Sequence, residues 1–160
     1  MPAFHQAALL VRHDTVLGGK IGAAEPVEEG IMQNRHGELY DITIKFLDAF
    51  NRNDLDGVMS FFTDDAVYEE LHGKVNEGKH AIREAFAPQF EGAFGKMEFI
   101  EDDTFIDADA GKIMSSWDLH LDMDGVPSIL KGLDLLQFDG DKIVRKQTFV
   151  KAKAPLYEDR

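Results

Sequence analysis

At 160 residues, 44% hydrophobic and 29% charged, the chain has the size and composition of one globular core. It contains no cysteine, which excludes disulfides, zinc–thiolate centres and thiol nucleophiles. Its 30 acidic and 17 basic residues give a net charge of -13, a surface that repels phosphate backbones and argues against nucleic acid as a partner.

Residues 7–11 are apolar, but no basic stretch precedes them, so a signal peptide is not expected. No run is long enough to cross a bilayer, and a cytoplasmic chain without membrane contact is the expectation. Residues 1–35, with Gly18, Gly19, Gly22 and the stretch from Pro26 to Gly30, show little periodicity and read as an arm outside the core. Residues 36–155 read as the folded domain and 156–160 as a tail.

From about Glu38, Leu39, Ile42, Phe46, Leu47, Ala49 and Phe50 recur at helical spacing. Asn51-Arg52-Asn53 breaks this helix, and Asp54 is placed to cap a second, short one bearing Leu55, Val58, Met59, Phe61 and Phe62. Thr63-Asp64-Asp65 is expected to end that helix and lead into a strand from Ala66 to His72. Gly73 and Gly78 bracket a loop, and a third helix follows from about Lys79 to Phe90 with Ile82, Ala85 and Phe86 inward. Beyond Gly95 the period falls to two. Strands are predicted over 97–107, 112–123, 126–138 and 143–152, with turn signals at Asp124-Gly125 and Gly140-Asp141. Helices followed by a meander of strands predict an α+β fold, with the helices on one side of a bent antiparallel sheet and a concavity between the layers.

Alternation then assigns the faces. Ile113, Ser115, Trp117, Leu119 and Leu121 share one face of their strand, set against the helices; Met114, Ser116, Asp118, His120 and Asp122 share the other. In the next strand Val126, Leu130, Gly132, Asp134, Leu136 and Phe138 share a parity, which makes Asp134 an acid on a mostly apolar face. The opposite parity bears Ile129, Leu133 and Leu135, an apolar set that predicts a homodimer through the outer face of the sheet.

Other chemistries find no support in the residue pattern. His72, His120, Asp118 and Glu70 disagree in parity and no His-Glu-x-x-His spacing occurs, so no metal is expected. Gly18, Gly19 and Gly22 lack the strand and helix of a phosphate loop, and no Gly-x-Ser-x-Gly elbow is present.

The runs Phe46 to Leu55, Phe61 to Tyr68 and Gly78 to Ile82 resemble the SnoaL-like and ketosteroid-isomerase-like branch of the NTF2-like superfamily, over roughly residues 38–152. The resemblance implies a cone in which N-terminal helices pack on a strongly curved antiparallel sheet around a pocket. It places the general-base carboxylate on Glu70 and a second acid on Asp134, with Trp117 and Leu119 in the cavity wall. The tyrosine that completes the oxyanion hole in ketosteroid isomerases falls here on Phe46, which donates no hydrogen bond, so Tyr68 or His72 is left to replace it. Tyr68, Glu70 and His72 share a parity, and Leu130 lies on the face of Asp134. Phe46, Tyr68, His72, Trp117, Leu119 and Leu130 are thus the expected substrate contacts.

The implied activity is that of a cofactor-independent isomerase, cyclase or lyase acting on a small apolar carbonyl compound, steroid-like or polyketide-like. Glu70 would take a proton next to the carbonyl, and Asp134, kept protonated by burial, would donate a hydrogen bond to the enolate. That arrangement is the known one of ketosteroid isomerase. Two other readings stand beside it: a ligand-binding or dimerisation module of the same fold without turnover, and an epoxide hydrolase. The last needs an arginine between two acids, where strand 112–123 offers only Lys112. Fold alone does not choose among them.

Overall fold

The computed structural model describes residues 26–123 and 125–153. Helix α1 (Pro26–Asn51) and helix α2 (Leu55–Ser60) lead into strands β1 (Phe62–Glu69) and β2 (Val75–Glu77), then helix α3 (Lys79–Phe90). Four long strands complete the fold: β3 (Lys96–Asp107), β4 (Lys112–Met123), β5 (Val126–Asp139) and β6 (Lys142–Val150). They form one curved sheet in the order β2-β1-β6-β5-β4-β3, with the helices on its concave side. The expected α+β architecture is present. One pairing departs from it: β1 and β6 run parallel, so the sheet is antiparallel everywhere else but not throughout.

The local signals explain most boundaries. Asn53 takes a left-handed backbone (φ 55), which Asn tolerates, and Asp54 caps α2 by accepting from the Gly57 amide at 2.8 Å. Three expectations are corrected. Helix α1 begins at Pro26, well before Glu38, so residues 26–35 of the expected arm are helical; Pro26 suits a first helical position because no amide hydrogen is needed there. The rest of that arm, the tail 156–160 and Asp124 of the expected hairpin turn lie outside the described residues. Thr63-Asp64-Asp65 is part of β1, which starts at Phe62 and ends at Glu69 rather than His72. The stretch between Gly73 and Gly78 holds a short strand, β2, paired antiparallel with the end of β1.

The core lies between the helices and the sheet, built from residues such as Leu39, Val58, Ile82, Ile113, Leu136 and Ile143. Phe46 is fully buried there, its ring edge-on to Phe50, Phe61 and Phe62 at 5.2, 5.7 and 5.7 Å between centroids. Alternation assigned β4 and β5 correctly: Ile113, Ser115, Trp117 and Leu119, then Asp134, Leu136 and Phe138, are buried on the concave face. On the convex face Ile129, Leu135, Phe105 and Phe149 are exposed. No helix among the described residues is long and apolar enough to cross a membrane.

Candidate functional site

A hollow of about 150 Å3, a volume that holds a benzene-sized ligand, lies between the concave face and the helices. Leu47 and Phe50 of α1 and Phe86 of α3 form one wall, and Met97 and Phe99 of β3 another. Trp117, Leu119 and Leu121 of β4 and Leu130 of β5 make a third, while Leu71 and Phe94 stand at loops beside them. Polar groups are few: Gln89, Tyr68, Asp134, Lys146 and Thr148.

The last four of these form one cluster with Trp117. Asp134 and Lys146 are a buried ion pair, bonded through Nζ and Oδ1, with side chains 6% and 5% exposed. Thr148 donates its hydroxyl to the same Oδ1 at 2.7 Å and accepts from Lys146 Nζ. The indole Nε1 of Trp117 donates to Oδ2 at 3.2 Å. Lys146 Nζ also lies 5.0 Å from the centre of the Tyr68 ring, a cation–π contact. Burial pulls the Lys146 ammonium below the usual lysine range, against the opposing pull of Asp134. Burial likewise pushes the Tyr68 phenol well above the usual tyrosine range; a hydrogen bond with Thr148 offsets this in part, and the charges of Asp134 and Glu70 add to it. Tyr68 is therefore a phenol with a proton to donate.

The backbone explains how the cluster assembles. Trp117 faces Gly132 across the β4–β5 ladder, and a Cβ at Gly132 would sit 2.4 Å from the indole and 2.5 Å from the Phe149 carbonyl oxygen. The missing side chain lets the indole lie across β5 toward Asp134. In β6, Ile143 opposes Phe138 but Arg145 opposes Gln137, a bulge that inserts one residue. Beyond it the alternation is reversed. Lys146 then faces inward beside Leu136, and Thr148 beside Asp134.

Five expected site residues line the cavity: Tyr68, Trp117, Leu119, Leu130 and Asp134. Three do not. Phe46 lies beneath the wall in the aromatic core, because its face of α1 turns toward Phe61 and Phe62. Glu70 follows the last residue of β1, on the turn into β2. It accepts from Asn76 at 2.9 Å and lies 3.5 Å from Lys74 and 3.4 Å from His72. His72 itself is exposed on that turn. The strand ends too early for Glu70 and His72 to follow Tyr68 inward. Asp134, expected as a hydrogen-bond donor, instead accepts from three donors and has a cation as partner. Lys146 and Thr148 were not expected at all. Strict alternation from Ile143 turns Arg145 and Gln147 inward, and only the bulge changes this. Among the described residues no group of three or more His, Cys, Asp or Glu could hold a metal ion.

Several solved structures share this fold at low sequence identity. Bal32a, from a soil-derived mobile gene cassette, has a TM-score of 0.63 at 12% identity over 72% of this chain and 91% of its own. TerC, co-crystallised with polyporic acid, has 0.62 at 13% over 71% and 92%. A candidate polyketide cyclase from Xanthomonas campestris pv. campestris has 0.61 at 16% over 72% and 91%. An NTF2-like protein from Burkholderia pseudomallei K96243 is similar at 0.62 and 17%, over 71% and 91%. No curated protein matches the chain significantly. The model of the SnoaL-like domain matches residues 44–146, from the cavity wall on α1 through Lys146 on β6. The chain therefore belongs to the SnoaL-like family, on the NTF2-like fold.

Proposed function

We propose that the chain is a cofactor-independent enzyme of the isomerase, cyclase or lyase kind, acting on a small apolar carbonyl compound by proton transfer at the Asp134–Lys146 pair. The observation that carries this reading is the pair itself: an ammonium and a carboxylate, both almost fully buried, in the wall of an otherwise apolar hollow. Burying two charges costs several kcal/mol each, roughly, and apolar residues of the same volume stabilise a fold at least as well. A pair kept there and turned to a cavity is a functional-site candidate on physical grounds.

The hydrogen-bond inventory supports specific roles. Lys146 has three N–H groups and uses two, on Asp134 and Thr148, leaving one for a carbonyl oxygen. The Tyr68 hydroxyl, on the same wall, shares a hydrogen bond with Thr148 and becomes a second donor, in place of the tyrosine for which Phe46 stands, by exchanging that partner for the ligand. Asp134 Oδ2 has one donor and room to accept a proton from the carbon beside that carbonyl. The pair is neutral as a whole, so a neutral ligand fits better than an ion. Glu70, committed to Asn76, is left with a structural role, and the base is assigned to Asp134. Epoxide hydrolysis loses ground because Arg145, the arginine nearest the cluster in sequence, pairs with Glu69. Binding without turnover is the second reading, favoured by the fact that both Asp134 oxygens already accept hydrogen bonds.

Trp117 is the only tryptophan, so its fluorescence reports on the cavity. Carbonyl compounds found by quenching should be turned over by the wild type. Asp134→Asn and Lys146→Met should lose about 10²-fold or more, the range for a general acid or base, and Glu70→Gln should not. Tight binding with no turnover of any bound compound supports the second reading. A loss confined to Glu70→Gln returns the base to the turn.

Homodimerisation through the convex face belongs to the same proposal. Phe105, Ile129, Leu135 and Phe149 are exposed there, and burying them against a second copy removes them from water. Sedimentation should show a dimer; a monomer at micromolar concentration contradicts it.

A further inference from the structure

We infer that Lys146 is a nucleophile that captures an aldehyde or ketone as a covalent imine, with Asp134 carrying the protons. The inference rests on the carbonyl reading above and goes further in naming a bond. It stands on geometry. Lys146 lines the hollow from β6, and the nearest partner of its Nζ is a carboxylate able to take a proton from it and return one. Thr148 and the Tyr68 ring hold the amine on its other sides. The surrounding walls, from Phe50 and Phe86 to Phe99 and Trp117, are apolar and present no competing nucleophile.

The step balances within the pair. The ammonium passes one proton to the Asp134 carboxylate, giving a neutral amine beside a carboxylic acid, a change that a dry site favours because two charges vanish. The amine nitrogen bonds to the carbonyl carbon, and a proton moves from nitrogen to oxygen to give a carbinolamine. Asp134 protonates its hydroxyl, the C–O bond breaks, and water leaves. The product is an iminium cation on Lys146 beside an Asp134 carboxylate, with the same net charge as at the start. That carboxylate can then take the proton from the carbon next to the iminium, which the positive nitrogen has made acidic. Burial assists the first step, since it favours the uncharged amine.

The test uses the full chain, benzaldehyde as a small apolar probe, and sodium cyanoborohydride to reduce any imine to a stable amine. Intact-mass and peptide analysis should find one benzyl group, on Lys146, formed at least about tenfold faster than on the exposed Lys74 and Lys131. Lys146→Arg, which keeps the cation and cannot form an imine, should lose that adduct while retaining the wild-type melting temperature. If Trp117 quenching shows benzaldehyde bound and labelling follows only the exposed lysines, the imine is overturned and the carbonyl site survives. If benzaldehyde neither quenches Trp117 nor labels Lys146, both are overturned.

Discussion

Two carboxylate–lysine pairs lie near the end of β1, one on its turn into β2 and one on the neighbouring strands β5 and β6, and they differ mainly in water. On the β1–β2 turn, Glu70 faces Lys74, with side chains 19% and 63% exposed. At the cavity, Asp134 faces Lys146, with side chains 6% and 5% exposed. The outer pair interacts through solvent and is worth about 1 kcal/mol at most. The inner pair has surrendered its hydration, so each member depends on the other and on the Trp117 and Thr148 donors. A carboxylate and a lysine therefore make a solvated latch in one place and, in the other, the dry pair on which the proposed chemistry rests.

The largest effect should come from breaking the dry pair. Asp134→Leu or Lys146→Met alone leaves an uncompensated buried charge and should cost about 3–5 kcal/mol in urea unfolding, while the double variant should recover most of that loss. Additive losses would mean that the pair is not coupled. Next comes a pH effect at the same site. Burial raises Tyr68 above its ordinary 10.0, so above pH 10 the unfolded chain ionises this phenol while the folded one keeps it neutral. Stability is complete below pH 10 and falls as pH rises, by up to about 1.4 kcal/mol per pH unit, and Tyr68→Phe should remove that part of the slope. The smallest effect should come from the wet pair: Glu70→Gln keeps an acceptor for Asn76 and should change stability by less than about 1 kcal/mol. A larger loss would place Glu70 nearer to Asp134 in importance.

How much of this was legible in the sequence follows from where alternation holds. It holds through β4 and β5, so Trp117, Leu119, Leu130 and Asp134 were placed correctly with no more than a period of two. It fails at the bulge in β6, where one extra residue turns Lys146 and Thr148 inward; no residue in the run Lys142 to Val150 announces the slip. It fails again after Glu69, because a parity argument continued beyond the end of β1 carries Glu70 and His72 into the cavity, whereas the turn brings Leu71 to it instead. Phe46 shows a different limit. Its position in α1 was right, but whether a helical residue meets the hollow or the core depends on the neighbours Phe61 and Phe62, which periodicity does not rank. The early start of α1 was hidden by a polar, glycine-containing stretch whose helicity periodicity did not signal.

The account depends on a ligand meeting the dry pair rather than the wet one. A crystal structure of the protein with an apolar carbonyl compound in the hollow tests this most directly. The account predicts that the carbonyl group reaches Lys146 Nζ, at about 2.7–3.2 Å if the contact is a hydrogen bond. A bound ligand whose carbonyl points away from Lys146, with the Asp134–Lys146 pair untouched, would contradict it.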